Sequence, residues 1–244
     1  MNVYGWHAVL SRLGRHPGSV RRILLQSGRR DPRVRELETL SNAAGIAIKR
    51  VSKQTLDVAV RGVHQGIVAQ CSEECIEYTE DDLGALLDES GDAALVLVLD
   101  GITDPRNLGA CIRTAEAAGA SAVVFPKKRS ATITDVARKA ASGAAESVPW
   151  VAVTNLARTV RELREHGVWI IGTHASADRL WYEVDYRRPV ALVLGSEGRG
   201  MRRLTREHCD ELVRIPMAGS VDSLNVSVAT GVCLFEVCRQ RLRK

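Results

Sequence analysis

The chain has 244 residues, of which 45% are hydrophobic and 26% are charged. This composition is that of an ordinary globular protein and excludes disordered, collagen-like and coiled-coil classes. The apolar runs, such as residues 93–99, fall well short of the about 20 residues that cross a bilayer. The N-terminus lacks basic residues followed by an apolar core. We therefore expect a cytoplasmic protein with one large domain or two small ones.

The six cysteines and six histidines show no spacing that is typical of metal ligands. Cys71 and Cys75, or Cys233 and Cys238, lack both the C-x-x-C spacing and a nearby pair of histidines. They are typical of small buried apolar residues in a reducing compartment. No Ser-His-Asp triad can be picked out either, so the sequence gives little support to a hydrolase or a metalloenzyme.

Charge divides the chain into three parts. Residues 1–75 carry 12 Lys+Arg against 6 Asp+Glu, residues 76–94 carry seven acids and no base, and residues 95–244 carry 22 Lys+Arg against 16 Asp+Glu. We predict a first domain over 1–75, an acidic linker over 76–92 and a second domain over 93–244. Two basic bodies favour a polyanionic partner, although charge alone fits ordinary solvated surface as well.

The first part has the pattern of a small α/β unit. Apolar stretches at 20–25, 46–51 and 66–71 flank a helical pattern over 32–44. In that pattern, apolar residues at positions 34, 37 and 40 share one face. Strands of this kind with a helix between them are typical of an α/β unit.

The second part alternates short apolar runs with helical patterns. Runs that are apolar on both faces favour buried parallel strands, so an open, doubly wound sheet is expected, with ligands beyond the carboxyl ends of its strands. The predicted strands cover 94–99, 122–125, 149–153, 168–172, 190–194 and 212–215, and the predicted helices cover 108–118, 135–141, 156–166 and 227–242.

Three of these strands run into loops rich in glycine, asparagine and serine, at 99–115, 193–201 and 215–227. The glycines of the second loop have the order G-x-x-G-x-G, which is not the dinucleotide-binding order, and no phosphate-binding G-x-x-x-x-G-K-[ST] occurs. A nicotinamide cofactor and a nucleoside triphosphatase are therefore both poorly supported. Glycines in this loop would let the backbone approach a flat ligand closely.

Several polar residues of these loops have two interpretations. Arg113 is either a surface arginine or, given its alanine neighbours, a partly buried guanidinium that needs an anionic partner. Glu197 is either that partner or a cap for the helix that follows near residue 201. Ser223 and Asn225 precede the last helix, where N-capping is their default role.

The three loops together resemble one family. N-x-G-A-x-x-R-T-A, L-G-S-E-G-x-G-M and I-P-M-x-G-x-x-x-S-L-N-V-S-V-A are similar to the three motifs of the SpoU, or TrmH, family of RNA ribose 2′-O-methyltransferases. Within residues 1–75, the stretches 4–9 and 64–69 resemble the substrate-binding domain of members that methylate guanosine in the peptidyl-transferase region of 23S ribosomal RNA. That domain is similar to the ribosomal L30e type of RNA-binding fold.

The resemblance implies a fold, a cofactor and partners. It implies a parallel-sheet domain with a deep trefoil knot at its C-terminal end, and a bent S-adenosylmethionine held there mainly by main-chain groups. It also implies a homodimer acting on ribosomal RNA, with the active site near the subunit interface, and neither metal, DNA nor membrane. The implied catalytic residues are Arg113, Asn107, Glu197, Ser223 and Asn225, and the implied cofactor-binding residues are Thr173, Leu194, Gly195, Gly198, Ile215, Met217 and Leu224.

Two other functions stay open. A transfer-RNA ribose methyltransferase shares the three motifs but commonly lacks a domain like residues 1–75. An RNA-binding protein without catalysis would keep the basic surfaces and lose Arg113, Asn107 or Asn225, all of which are present. The residues therefore favour the ribosomal RNA enzyme.

Overall fold

In the computed structural model of the chain, the described residues are 2–15, 17–29, 31–60, 63–72 and 78–242. The chain divides into two compact units, Met1–Glu77 with Ser142–Ser147, and Tyr78–Ala141 with Val148–Lys244. The predicted boundary at 75/76 lies outside the described residues, and the domain limits stay a prediction. None of the described helices combines the length and apolar character that a membrane span requires.

Over its described residues, the first unit has a four-stranded mixed sheet and three α-helices. Its strand order is β1-β4-β2-β3, in which β4 runs antiparallel to both of its neighbours and β2 is parallel to β3. The elements in chain order are β1 (Asn2–Tyr4), α1 (Trp6–Arg15), β2 (Val20–Gln26), α2 (Arg33–Ala43), β3 (Ile48–Val51), α3 (Lys53–Ala59) and β4 (Ile67–Cys71).

Both faces of this sheet are covered. Ile23 and Leu25 of β2 pack with Trp6 of α1 and Leu37 of α2, while Leu24 packs on the opposite side with residues of α3 and β4. The alternation follows from the two-residue period of a strand, which sends successive side chains to opposite faces. The prediction of a small N-terminal α/β unit is confirmed.

The second unit is a parallel sheet with helices on both faces. Over the described residues its strand order is β7-β6-β5-β10-β8-β11-β9, and each pairing is parallel. Its elements are α4 (Leu83–Ser90), β5 (Leu95–Asp100), α5 (Pro105–Ala117), β6 (Ala122–Pro126), α6 (Asp135–Ala141), β7 (Trp150–Val153), α7 (Leu156–Glu165), β8 (Trp169–Thr173), β9 (Arg179–Leu180), β10 (Val190–Gly195), α8 (Arg203–Glu207), β11 (Glu211–Arg214) and α9 (Val226–Leu242).

The central strands are apolar on both sides because both sides are buried. Val96 and Val98 of β5 join a core with Leu156 and Val160 of α7, and α5 packs with α6 and α9. Every residue of β5 is buried, which agrees with the continuous apolar run read from the sequence. The predicted α/β class with a parallel sheet is confirmed, and the knot stays a prediction.

The described part of the predicted acidic linker, residues 78–92, is folded onto the second unit. Leu83 and Leu87 of α4 are buried in the same core as Val96 and Val98. Glu80 accepts hydrogen bonds from the Thr154 backbone N–H at 2.6 Å and from Arg158 at 2.6 Å. These residues of the acidic stretch therefore pack on the second unit through the apolar side chains of α4, and the bounds of the linker stay a prediction.

One arginine, near the end of α9, hydrogen-bonds the last turn of this helix to neighbouring segments of the second unit. Arg241 donates to the carbonyl oxygens of Tyr186 (3.1 Å), Ala93 (2.5 Å), Ala94 (3.1 Å) and Arg188 (2.8 Å). Burial lowers the pKa of this guanidinium from its ordinary value. The contacts tie the last turn of α9 to the residues that lead into β5 and β10.

Candidate functional site

A cluster of three polar side chains joins the loops that follow β5, β10 and β11. Asn225 Nδ2 donates to Glu197 Oε1 at 2.8 Å and to Asn107 Oδ1 at 3.1 Å. Asn107 Nδ2 donates to the same Glu197 oxygen at 3.4 Å. Three of the five predicted catalytic residues therefore contact one another, although 118 positions separate the two asparagines.

Two helix starts hold this cluster in place. Asp104 caps α5 by accepting from the Arg106 backbone N–H at 2.8 Å, so Asn107 is fixed in the first turn of α5. Asn225 caps α9, since its Oδ1 accepts from the Ser227 backbone N–H at 3.0 Å and from the Ser227 hydroxyl at 2.6 Å. Asn225 thus has the predicted N-cap role and a second contact with the polar cluster.

Glu197 caps a different helix from the one expected. Its Oε1 also accepts from the Val226 backbone N–H at 3.2 Å, at the start of α9. A carboxylate is favourable there because the N-terminal end of a helix carries partial positive charge. The prediction of a cap near residue 201 was wrong, because the chain folds Glu197 back across the sheet edge to α9.

Arg113 and Ser223 lie on exposed parts of the same region. Arg113 is exposed on α5, two turns beyond Asn107, so the expectation of a partly buried guanidinium was wrong. The small residues near it pack on the inner face of α5, where Gly109 admits the backbone of Ala137 in α6. Ser223 is exposed in the loop before α9.

The loop after β10 crosses directly over its own strand. Ser196 and Gly200 exchange backbone hydrogen bonds at 2.8 and 3.2 Å, and a Cβ on Gly195 would overlap backbone atoms of Gly200 and Met201. Gly198 and Gly200 have φ of 79° and 66°, in the region that favours glycine. Glycine is therefore required at 195 by close backbone approach and at 198 and 200 by the turn.

The predicted cofactor residues lie at the carboxyl ends of three adjacent strands. Thr173 ends β8, with its hydroxyl donating to the Val193 carbonyl at 3.3 Å, and Leu194 and Gly195 end β10. Of the others, Ile215, Met217 and Leu224 are half-buried between β11 and α9, and Gly198 is exposed in the loop after β10. Half-buried apolar side chains beside exposed main chain suit an adenosine, whose faces are apolar and whose edge is polar.

A cavity of about 860 Å³ opens beside the polar cluster. Asn107 and Glu197 line it, but it reaches none of the seven predicted cofactor residues. It also contains five charged residues that were not among the predicted site residues: Asp100, Asp104, Arg129, Arg199 and Arg202. A signal was available for two of them, since Asp100 is the charged end of an apolar strand and Arg129 closes a basic stretch after β6.

The described residues near this site offer neither a cluster of metal ligands nor a thiolate. Among the described residues, no group of three His, Cys, Asp or Glu side chains is arranged to hold a metal ion. Burial, with a contribution from the charge of Glu197, raises the pKa of Cys111 to about 11. Its thiol is therefore neutral near pH 7, and its contact with the Thr230 hydroxyl at 3.4 Å joins α5 to α9.

Models of two families match this chain. Residues 94–235 match the SpoU rRNA Methylase family, and residues 2–74 match the family described as RNA 2′-O ribose methyltransferase substrate binding. Two relatives bear the name 23S rRNA (guanosine-2′-O-)-methyltransferase RlmB. The one from Yersinia pestis is 58% identical, over 98% of this chain and 97% of its own. The one from Pseudomonas syringae is 54% identical, over 99% of this chain and 96% of its own.

Solved structures of similar fold include an RNA 2′-O ribose methyltransferase (TM-score 0.73, 29% identity, 99% of this chain and 89% of that one). An rRNA methyltransferase from Sinorhizobium meliloti, solved with AdoMet bound, has a TM-score of 0.73 at 25% identity and covers 98% of this chain and 86% of that one. A tRNA-modifying TrmH/SpoU enzyme of A. aeolicus has a TM-score of 0.55 at 29% identity, with only 67% of this chain and 84% of that one covered.

Proposed function

Because this chain belongs to the SpoU rRNA Methylase family, we propose that it methylates the ribose 2′-oxygen of a guanosine in 23S ribosomal RNA, with S-adenosylmethionine as methyl donor. The observation that carries the proposal is identity of more than half over nearly the whole length of both chains. Since ribosomal RNA is the substrate, we place this activity in the cytoplasm.

The reaction forms a bond between the 2′-oxygen and the methyl carbon, and it breaks the sulfur–methyl bond of the cofactor and the O–H bond of the ribose. S-Adenosylmethionine supplies an electrophilic methyl on a sulfonium, so the products are the 2′-O-methyl ribose, S-adenosylhomocysteine and a proton from the hydroxyl. A ribose hydroxyl is a weak nucleophile at neutral pH, so the protein must orient it and help it to lose that proton. The half-buried apolar residues between β11 and α9, which are Ile215, Met217 and Leu224, would hold the adenosine.

The polar cluster and Arg113 are assigned complementary roles. Arginine stays protonated in proteins, so Arg113 would bind an RNA phosphate and orient the hydroxyl instead of acting as a free base. Asn107, Glu197 and Asn225 would hold the ribose through the cluster that their hydrogen bonds already form. Ser223 would contact the ribose or the cofactor from the loop before α9.

The first unit is assigned to RNA binding. Arg21 and Arg22 on β2 and Lys49 and Arg50 on β3 are exposed on adjacent strands, and basic side chains of this kind bind phosphates without reading sequence. The match of residues 2–74 to a substrate-binding family supports this assignment.

The proposal predicts that the methylation of one guanosine, in 23S ribosomal RNA alone, depends on this protein. Mapping 2′-O-methylation across 23S and 16S ribosomal RNA and transfer RNA, in cells with and without the protein, should show one 23S guanosine that depends on it. Loss of a transfer-RNA site instead would support the alternative enzyme, which is disfavoured because the tRNA-modifying structure covers only 67% of this chain. No lost site in any RNA would support binding without catalysis.

We infer further that two copies of the chain associate through α9. The apolar residues Val228, Val232, Phe235 and Leu242 form one stripe along this helix. Val228 and Phe235 are each 51% exposed, Leu242 is exposed and Val232 is half-buried, so the stripe is not covered within one chain. Exposed apolar residues along one helix next to the site are typical of an interface. A partner helix there would cover residues adjoining the loop of Ser223 and Asn225.

The dimer is tested by Phe235→Asp in the full chain. We expect the wild type to sediment as a dimer at micromolar concentration and the variant as a folded monomer, because a buried carboxylate would oppose association. Val58→Asp, which changes an 87% exposed valine of the first unit, is the matched control and should stay dimeric. A wild type that sediments as a monomer and still methylates RNA would contradict the inference.

A further inference from the structure

The cavity beside the polar cluster is lined by arginines from two loops. Arg129 comes from the loop after β6, and Arg199 and Arg202 come from the loop after β10. Among the described residues, neither Arg129 nor Arg199 forms an ion pair with a carboxylate within 4.0 Å. Two guanidinium groups are thus available to a ligand in this cavity, and the third is held in a specific orientation.

Arg202 is anchored on two sides. Its Nε lies 3.5 Å from Asp100 Oδ1, and its Nη2 donates to the Arg129 carbonyl at 3.5 Å. The guanidinium passes beside Gly101, which has φ of 79° and leaves room for it. Because a guanidinium carries five N–H donors in a fixed plane, these contacts leave further donors for the cavity, and the side chain is 44% exposed.

Asp100 contacts Arg202 through both of its carboxylate oxygens. The residue is 1% exposed, and its Oδ2 accepts from the Arg202 backbone N–H at 2.7 Å. Its Oδ1 is buried without a hydrogen bond among the described residues. A buried carboxylate is costly unless it is paired, so the pairing with both the backbone and the side chain of Arg202 indicates that this arginine's position is under constraint.

Arg129, which lines the same cavity, has a strained backbone conformation. Its φ is 57°, which is uncommon for a residue with a side chain. The loop is held there because the Ser130 hydroxyl and the Ala131 backbone N–H both donate to the Ile102 carbonyl, at 3.0 and 2.6 Å. Strain of this kind clusters at functional sites, and here it points the Arg129 carbonyl at Arg202.

The acidic residues of the cavity are engaged by other groups. Asp104 caps α5, and Glu197 accepts from Asn225 and from the first backbone N–H of α9. Asp100 pairs with Arg202. The formal charges of the three acids and the three arginines that line the cavity cancel. The starts of α5 and α9 add partial positive charge to the same cavity, so the balance favours an anion.

We propose that Arg202 binds a phosphate of the substrate RNA next to the target ribose, with Asp100 as the positioning residue and Arg129 and Arg199 completing the anion subsite. The proposal rests on the proposed function and adds to it, since Arg202, Asp100 and Arg129 are residues for which the family motifs gave no role. Arginine suits this role because its planar fork matches phosphate oxygens.

The test compares Arg202→Ala and Arg202→Lys in the full chain with a 23S RNA fragment as probe. For Arg202→Ala we expect KM for RNA to rise on the order of tenfold or more, and the salt dependence of RNA affinity to lose about one phosphate contact. Arg202→Lys keeps the charge beside Asp100, so its salt dependence should stay close to wild type, while KM rises because the fork is lost. The affinity for S-adenosylmethionine should change less than twofold in both variants.

Arg203→Ala is the matched control, because Arg203 is the adjacent exposed arginine and pairs with Glu207 at 2.7 Å outside the cavity. Its KM and salt dependence should equal those of the wild type. A folded Arg202→Ala protein with wild-type KM and salt dependence would overturn the subsite. A wild type that methylates no RNA would instead overturn the proposed function, so the two failures are distinguishable.

Discussion

Replacing Arg113 by alanine should lower turnover about a hundred- to thousandfold, the usual loss when a charged group that stabilises the reacting centre is removed. The side chain is exposed on α5, and exposed substitutions change the free energy of unfolding by only about 0.5 kcal/mol. The protein should therefore fold, dimerise and bind S-adenosylmethionine as the wild type does. Arg113→Lys should recover only part of the turnover, because an ammonium cannot make two parallel bonds to a phosphate.

Initial rates of methyl transfer to 23S RNA, measured beside calorimetric titration with the cofactor, separate these effects. Arg161→Ala is a suitable control, since Arg161 is an exposed helical arginine paired with Glu165 on α7. It should leave both measurements unchanged. Turnover of Arg113→Ala within threefold of wild type would remove Arg113 from the chemistry.

Replacing Gly195 by alanine should abolish detectable cofactor binding. The added Cβ would overlap backbone atoms of Gly200 and Met201, so the loop that carries Glu197 must move away from the strand end. Overpacking of this kind costs about 1–3 kcal/mol of unfolding free energy, and the displaced loop would also separate Glu197 from Asn225. We expect the loss of binding free energy for the cofactor to exceed the loss of unfolding free energy, because the loop moves more readily than the strand.

The matched control is Gly219→Ala, in the loop after β11, where a Cβ meets no atom within 4 Å. Calorimetry and thermal denaturation of both variants test the prediction. Gly219→Ala should resemble the wild type in both. If Gly195→Ala bound S-adenosylmethionine with wild-type affinity, the crossing of residue 200 over residue 195 would have no part in forming the cofactor site.

The fold was predictable where burial alone decides the pattern. The run at 94–99 favoured a strand buried on both faces, and the structure has β5 at Leu95–Asp100. By contrast, α1 (Trp6–Arg15) and α8 (Arg203–Glu207) were missed. Helix α8 has only five residues, fewer than two turns, and this is too short for a periodic apolar pattern to emerge.

The site was predictable in its members and less so in their geometry. The motifs named Asn107, Glu197 and Asn225, but the choice of helix that Glu197 caps depends on how distant segments pack, which spacing does not encode. Asp100 and Arg202 were missed for the same reason. Asp100 is recognisable as the charged end of an apolar strand, but Arg202 is 102 positions away. Their contact follows only from the register of β5 with β10, which sets Asp100 opposite Gly195.

The four hydrogen bonds from Arg241 to backbone carbonyls affect when the second unit can complete its folding during translation. The residues entering β5 are held by a side chain made about 150 positions later, which at a synthesis rate of about 5–20 residues per second is a delay of roughly 7–30 s. Strand β5 is without its neighbour β10 until residues 190–195 have been made, and it lacks the contacts of Arg241 for about 46 residues more. A premature stop codon that removes only the last turn of α9 would leave every strand of the parallel sheet synthesised but would remove the hydrogen bonds of Arg241. We expect such truncated chains to be degraded by proteases.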